Sequence, residues 1–448
     1  MNGIRNIHFP IPIRFSVLCS SRQQAMNERL LQFIWQFQYF NKASLFTANE
    51  ELLTIVHAGK YNTDQGPDFL DGKIMIGKTT WAGNIELHLK SSDWNRHHHS
   101  GDANYANVIL HVVWEHDAEI FHSNGSQLPV LVMQPLVAKV LLDRFKELML
   151  RQSFVPCETF LPLLDNMKWM AWKERIAIER LQRKSLVVMQ FLKETNNNWE
   201  EIFWWLLARN FGIKTNADIF ETIARSIPVN VLAKHKNQIH QLEGLLLGQA
   251  GLLNGEFEED YPIVLKKEYL FYQKKYQLQQ PKVKPFFLRM RPANFPTIRL
   301  AQLAMLVHHS SHLFSKIKDA ANVETIMELL NVTANDYWHY HYRLDELTDY
   351  HPKQLGKQMT ENIIINTVVP ILFAYGNFHG EESIKEKALR YLELLSPEKN
   401  TITNQWKNYG VANKNALESQ ALIELKNNYC DSRRCLECAV GNAVLKQL

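Results

Sequence analysis

Residues 66–115 read GPDFLDGKIMIGKTTWAGNIELHLKSSDWNRHHHSGDANYANVILHVVWE, and their alternation sets the fold of the first part of the chain. Across 84–90 the order is Asn84, Ile85, Glu86, Leu87, His88, Leu89, Lys90. A strand with side chains alternating between its faces puts Ile85, Leu87 and Leu89 on one side and Glu86, His88 and Lys90 on the other. An acid, an imidazole and an ammonium in one row suit the holding of a metal and of the water it activates. The same row also suits an edge strand with a solvated polar face. Residues 69–77 and 80–90 read as two strands joined at Gly77-Lys78, a hairpin signal. Segment 107–115 (NVILHVVWE) and LPVLVM at 128–133 read as further strands, with 93–104 a loop or short helix between.

Working outward, 26–41 carries Leu30, Phe33, Ile34, Phe37 and Phe40 at helical spacing, and LLTIVHAG at 52–59 reads as a first strand. The order is helix, three strands, short helix, strand. From about 134 the pattern turns helical: 134–150, a long helix over 167–194, 198–212 closing at Gly212, 215–253, and 291–309 after two prolines. Residues 254–285 read as an irregular Tyr- and Lys-rich connection, and Pro370 implies a kink within 361–376. The expected fold class is α+β followed by α, a mixed-sheet domain and then a mostly helical one. Expected bounds are a loose extension at 1–25, an α/β domain at 26–135, helical domain(s) at 136–429, and a cysteine-bearing tail at 430–448 that packs back on the body.

Composition narrows the classes. The chain has 448 residues, a formal charge of +4, 46% hydrophobic and 21% charged residues, as in ordinary soluble multidomain proteins. That charge tolerates a polyanionic partner without arguing for one. No apolar run approaches the roughly 20 residues of a membrane span, and LLLGQAGLL at 245–253 is short and glycine-broken. Five cysteines, three of them crowded at one end, do not make a secreted disulfide framework, so a reducing, cytoplasmic setting is expected. The sequence does not set the oligomeric state.

Three groups of residues carry candidate chemistry. Asp68 opens the strand before the hairpin and Glu86 lies on the strand after it, so the two carboxylates could face each other and share Mg²⁺ or Mn²⁺. His97, His98, His99 and His111, with Asp93 and Asp102, offer a rival Zn²⁺ or Mn²⁺ site, and His111 alternates toward Glu86 and His88. Adjacent histidines in a Ser/Gly-flanked loop can equally be solvated, most of all His98. Asp93, His97, His99, Asp102 and Tyr105 are candidate substrate contacts, and Trp81 and Trp94 read as packing rather than base-stacking platforms. The third group is Cys430-x4-Cys435-x2-Cys438 with Cys157 as a fourth ligand, a set suited to zinc or a [4Fe-4S] cluster.

The helix–strand order with Pro67-Asp68 and Glu86-Leu87-His88 resembles the PD-(D/E)xK nuclease superfamily. That resemblance implies metal ligands at Asp68 and Glu86, with His88 standing where the superfamily has lysine and Lys90 one alternation further on. It implies a nucleic-acid substrate, DNA or RNA, cut by metal-dependent phosphodiester hydrolysis. One cysteine beside such a core and three far downstream resembles the iron–sulfur staple of RecB-like nucleases. An inactive scaffold of the same fold that binds nucleic acid or protein, and a histidine-based zinc hydrolase, are the alternatives. Arg175, Arg180, Arg183 and Lys184 form a candidate phosphate-contacting stripe. The run from GPDFLDGKIMIG through WAGNIELHLKSSDWNRH and YANVILHVV, with RPANFPTIRLAQLA and YCDSRRCLECAVGNAVL, resembles a bacterial domain-of-unknown-function family. This implies one architecture from about Met26 onward.

Overall fold

A computed structural model describes residues 26–163, 165–310 and 312–446, so the expected extension at 1–25 lies outside the described residues. The chain divides into two units. One runs to Leu163 and regains Arg433–Leu448 at the other end; the second is Leu164–Ser432. The helix at 139–150 therefore stays with the sheet, although its sequence is indistinguishable from the helical remainder.

In the first unit, α1 (Glu28–Phe37) is capped by Asn27, whose side chain accepts from the Leu30 N–H. It buries Leu30, Leu31, Phe33, Ile34 and Trp35 against the sheet, at about 1.5–3 kcal/mol for each large side chain. The strands are β1 (Leu45–Phe46), β2 (Leu52–His57), β3 (Lys60–Tyr61), β4 (Phe69–Ile76), β5 (Thr79–Lys90), β6 (Val108–Glu115) and β7 (Val130–Val132). They form one mixed sheet in the order β1-β2-β4-β5-β6-β7, with β3 on β4. The β4–β5 hairpin turns at Gly77, whose φ of +57° is the left-handed conformation that the turn requires. Strands β5–β6 and β6–β7 run parallel, and α2 (Asp93–Arg96) lies in the β5–β6 crossover. Another helix of the sheet unit, α3, spans Lys139–Leu150.

Register places the site. Phe69 pairs with Ile85, so Asp68 stands opposite Glu86, and on the other side Glu86 pairs with His111. The polar row of β5 is thus the middle of three neighbouring strands and not an edge. Ile85 and Leu87 are fully buried below it.

The second unit is helical apart from a short hairpin, His341–Arg343 with Glu346–Leu347. Its long helix, Asn166–Glu194, packs against Ala416–Glu424 and Val369–His379. The stretch expected to be irregular holds a helix, Asp260–Tyr276, whose inner face is Pro262, Leu265, Tyr269 and Tyr272. Tyrosine supplies the apolar face there, which is why the segment reads as polar. The break near Pro370 is a π-helical turn, Ile364–Val368, with the proline at the start of the following helix. Each residue of the expected phosphate-contacting stripe has a partner within the unit, while Arg175 and Arg183 stay more than half exposed. Arg180 and Arg183 both donate to Glu424, Arg175 pairs with Glu179, and Lys184 donates to Asn366.

Candidate metal centre

Four imidazoles and two carboxylates converge over the middle of the sheet. α2 ends at Arg96, and His98 takes a φ of +61°, a left-handed residue that reverses the chain between His97 and His99. Both flanking side chains are thereby brought to His88, while His98 itself is exposed. His88 Nε2 is 3.0 Å from His97 Nδ1, and Glu86 Oε1 stands 3.5 Å from both His88 Nε2 and His99 Nε2. The ligand nitrogens of His88, His97 and His99 lie within 4.8 Å of one another. Donors 2.0–2.2 Å from one tetrahedral ion stand about 3.4 Å apart, so a cluster this tight could hold a metal ion.

Hydrogen bonding agrees. His99 Nε2 is buried with no hydrogen-bond partner, an arrangement that costs about 1–3 kcal/mol unless something else satisfies the nitrogen. Burial, then neighbouring imidazoles, holds His88 down to about 2, His99 to about 4 and His111 to about 3, so each keeps a free lone pair at neutral pH. Burial, then mutual repulsion, raises Glu86, and burial raises Asp68. A cation between them would reverse both shifts.

Each expected residue has a definite place. Asp68 faces Glu86, but its oxygens are engaged: Oδ1 accepts from Gln32 at 2.7 Å and Oδ2 from the Leu87 N–H at 3.1 Å. Glu86 Oε2 accepts from the Asp68 N–H at 3.0 Å, which leaves Oε1 for the histidines. The pair thus offers an oxygen-seeking Mg²⁺ a single uncommitted oxygen, whereas three nitrogens and one oxygen suit Zn²⁺, Mn²⁺ or Fe²⁺. His111 stands behind His88, its Nε2 2.8 Å from His88 Nδ1, and orients that ring rather than joining the ligand atoms. Lys90 turns away to Glu115, at 3.6 Å, and Asp117. Asp93 accepts from the Lys90 N–H and pairs with Arg96, and Asp102 caps the turn Ala103–Tyr105. Tyr105 stacks on His99 with ring centroids 3.7 Å apart, and burial, then Glu86, pushes its hydroxyl up to about 12. Trp94 packs beneath with Val108, Ile120 and Leu128, while Trp81 is half exposed.

Two residues of α1 escaped the sequence reading. Gln32 holds Asp68 and receives the Tyr61 hydroxyl at 3.3 Å, and Glu28 lies close enough to sense the charges of His97 and Asp93. Their spacing of one helical turn on the polar face of α1 was the available signal.

Among the cysteines, Cys157, Cys435 and Cys438 belong to the first unit and Cys430 to the second; all four are buried, and no disulfide joins them.

The fold and the site define a two-unit chain with a cluster of histidines and carboxylates on a mixed sheet, one that could hold a metal ion. The chain belongs to the family described as "Protein of unknown function (DUF2851)", which it matches over residues 28–401. No curated protein and no solved structure matches it. Among the described residues no helix is long and apolar enough to cross a membrane.

Proposed function

We propose that the first unit is a metal-dependent hydrolase that cleaves phosphodiester bonds in nucleic acid, from a centre in which His88, His97, His99 and Glu86 hold one divalent cation such as Zn²⁺ or Mn²⁺. The observation that carries this reading is the buried, partnerless Nε2 of His99 facing Glu86 Oε1, beside the ligand nitrogens of His88 and His97. Such a cation, when bound, supplies a nucleophilic water at neutral pH and neutralises charge on the phosphoryl oxygens. The chain supplies the rest. His97 is exposed and leaves the centre open on one side, where a phosphodiester can enter. Asp68, fixed by Gln32 and Leu87, sets the rotamer of Glu86 through its own N–H. Glu28, at the rim beside His97 and with its proton affinity raised by burial, is placed to take a proton from the site. The choice of phosphodiester rests on the facing Asp68–Glu86 pair and the strand order that it accompanies.

The test is hydrolysis of bis(4-nitrophenyl) phosphate and of single- and double-stranded DNA and RNA oligonucleotides by protein loaded with Zn²⁺ or Mn²⁺. His99→Ala and Glu86→Gln should each lower kcat/KM by about 10²-fold or more. Cleavage that survives both substitutions would overturn the centre. Absence of all phosphodiester cleavage by metal-loaded wild type would overturn the substrate class.

A further inference from the structure

The carboxy-terminal segment builds a second cluster that the histidine centre does not use. Cys157, Cys435 and Cys438 are 6%, 7% and 7% exposed. Two contacts bracket them. On one side Arg433 donates to the Arg151 carbonyl at 2.6 Å; on the other, helix Ala439–Lys446 packs against the turn Glu158–Leu163. Cys435 and Cys438 lie between those contacts on one segment, and Cys157 lies between them on the other. The Cys435–Cys438 turn is closed by the Cys438 N–H donating to the Cys435 carbonyl at 3.3 Å. A Cβ at position 441 would collide with that same carbonyl, so Gly441 lets the terminal helix start directly against the turn.

Three thiols from opposite ends of the unit thus come together inside one bracket of contacts. Cys157 lies within electrostatic reach of both Cys435 and Cys438, and Cys435 of Cys438. As thiolates they would repel, and a thiophilic cation turns that repulsion into ligation. We propose that Cys157, Cys435 and Cys438 ligate a thiophilic metal centre, zinc or an iron–sulfur cluster, that fastens the carboxy-terminal segment to the sheet unit. The fastening has a reach. Asn442 accepts from the Tyr39 hydroxyl at 2.7 Å beyond the end of α1, and Glu437 lies near Tyr61, which donates to Gln32, the residue that holds Asp68.

The experiment compares zinc, iron and visible absorbance in anaerobically purified wild type, Cys435→Ser and His99→Ala. One equivalent of colourless zinc, or iron with a broad visible band, should be lost from wild type in Cys435→Ser and kept in His99→Ala. Equal metal content in wild type and Cys435→Ser, or no thiophilic metal in wild type, overturns the proposal. X-ray absorption on His99→Ala, which leaves the cysteines intact, provides a reading independent of how Cys435→Ser folds. Sulfur neighbours at about 2.3 Å support the site, and nitrogen and oxygen neighbours alone overturn it. Because His99→Ala removes the other centre, failure here is distinguishable from failure of the hydrolase reading.

Discussion

His111 contacts His88 through the nitrogen that faces away from the centre, and that position has a measurable consequence. Removing an orienting partner typically lowers metal affinity by about 10–100-fold without abolishing it. His111→Leu should therefore weaken Mn²⁺ binding in calorimetric titration, and His111→Gln, which restores an acceptor, should recover part of the loss; equal affinity in wild type and His111→Leu would contradict the role. Asp68 makes a second residue-scale case. It and Glu86 are both raised by burial, so neutralising one relieves strain in the metal-free protein. Glu86→Gln, which keeps an acceptor for the Asp68 N–H, should raise the melting temperature of the metal-free form while lowering metal affinity, and a lower melting temperature would contradict this account. At this scale the sequence was partly informative. The alternation of 84–90 identified Glu86 and His88, and the Pro67-Asp68 step identified their neighbour. What alternation cannot show is which nitrogen of His111 meets His88, or that Lys90 swings to Glu115 at the strand end. Those outcomes depend on cross-strand register, which two distant segments set together.

Among the elements, the buried contact between helix Ile239–Gln249 and the turn Asp336–Tyr340 carries a pH signature. Glu243 Oε2 accepts from Trp338 Nε1 and from the Tyr261 hydroxyl, each at 2.9 Å, with the side chain fully buried. Burial holds its carboxyl up to about 7 against an ordinary 4.5. The folded state thus binds a proton that the unfolded chain releases between about pH 4.5 and 7. This contribution to stability is complete below 4.5 and is lost as pH rises toward 7, at up to about 1.4 kcal/mol per pH unit. Urea midpoints between pH 5 and 8 should fall more steeply for wild type than for Glu243→Gln, and parallel profiles would contradict the assignment. The elements themselves were legible where periodicity was clean, as in α1, the β4–β5 hairpin and the long helix Asn166–Glu194. Asp260–Tyr276 was hidden because its inner face is built from tyrosines. The π turn before Pro370 was hidden because only the proline, not the displaced hydrogen bonds, is visible in a sequence.

For the whole molecule, the chain returns at Arg433 to the unit it left at Leu163, so the first and last described segments share one unit and the helices between form another. The change to helical composition near 134 does not mark that boundary, because α3 packs on the terminal helix and belongs with the sheet. A ligand that binds only the folded first unit at 100 times its Kd stabilises that unit by about 2.7 kcal/mol. Chelation should therefore lower one thermal transition and leave that of the helical unit in place, and a uniform shift of all transitions would contradict two separate bodies. The claim on which the rest depends is the histidine centre. Mn²⁺ prefers nitrogen and oxygen donors to thiolates, which makes it selective for this site over the cysteines. The decisive measurement is calorimetric titration of Mn²⁺ into metal-free wild type, His99→Ala and Cys435→Ser. The account predicts one Mn²⁺ per chain in wild type and Cys435→Ser and none in His99→Ala; binding that His99→Ala leaves intact, or no binding to wild type, would contradict it.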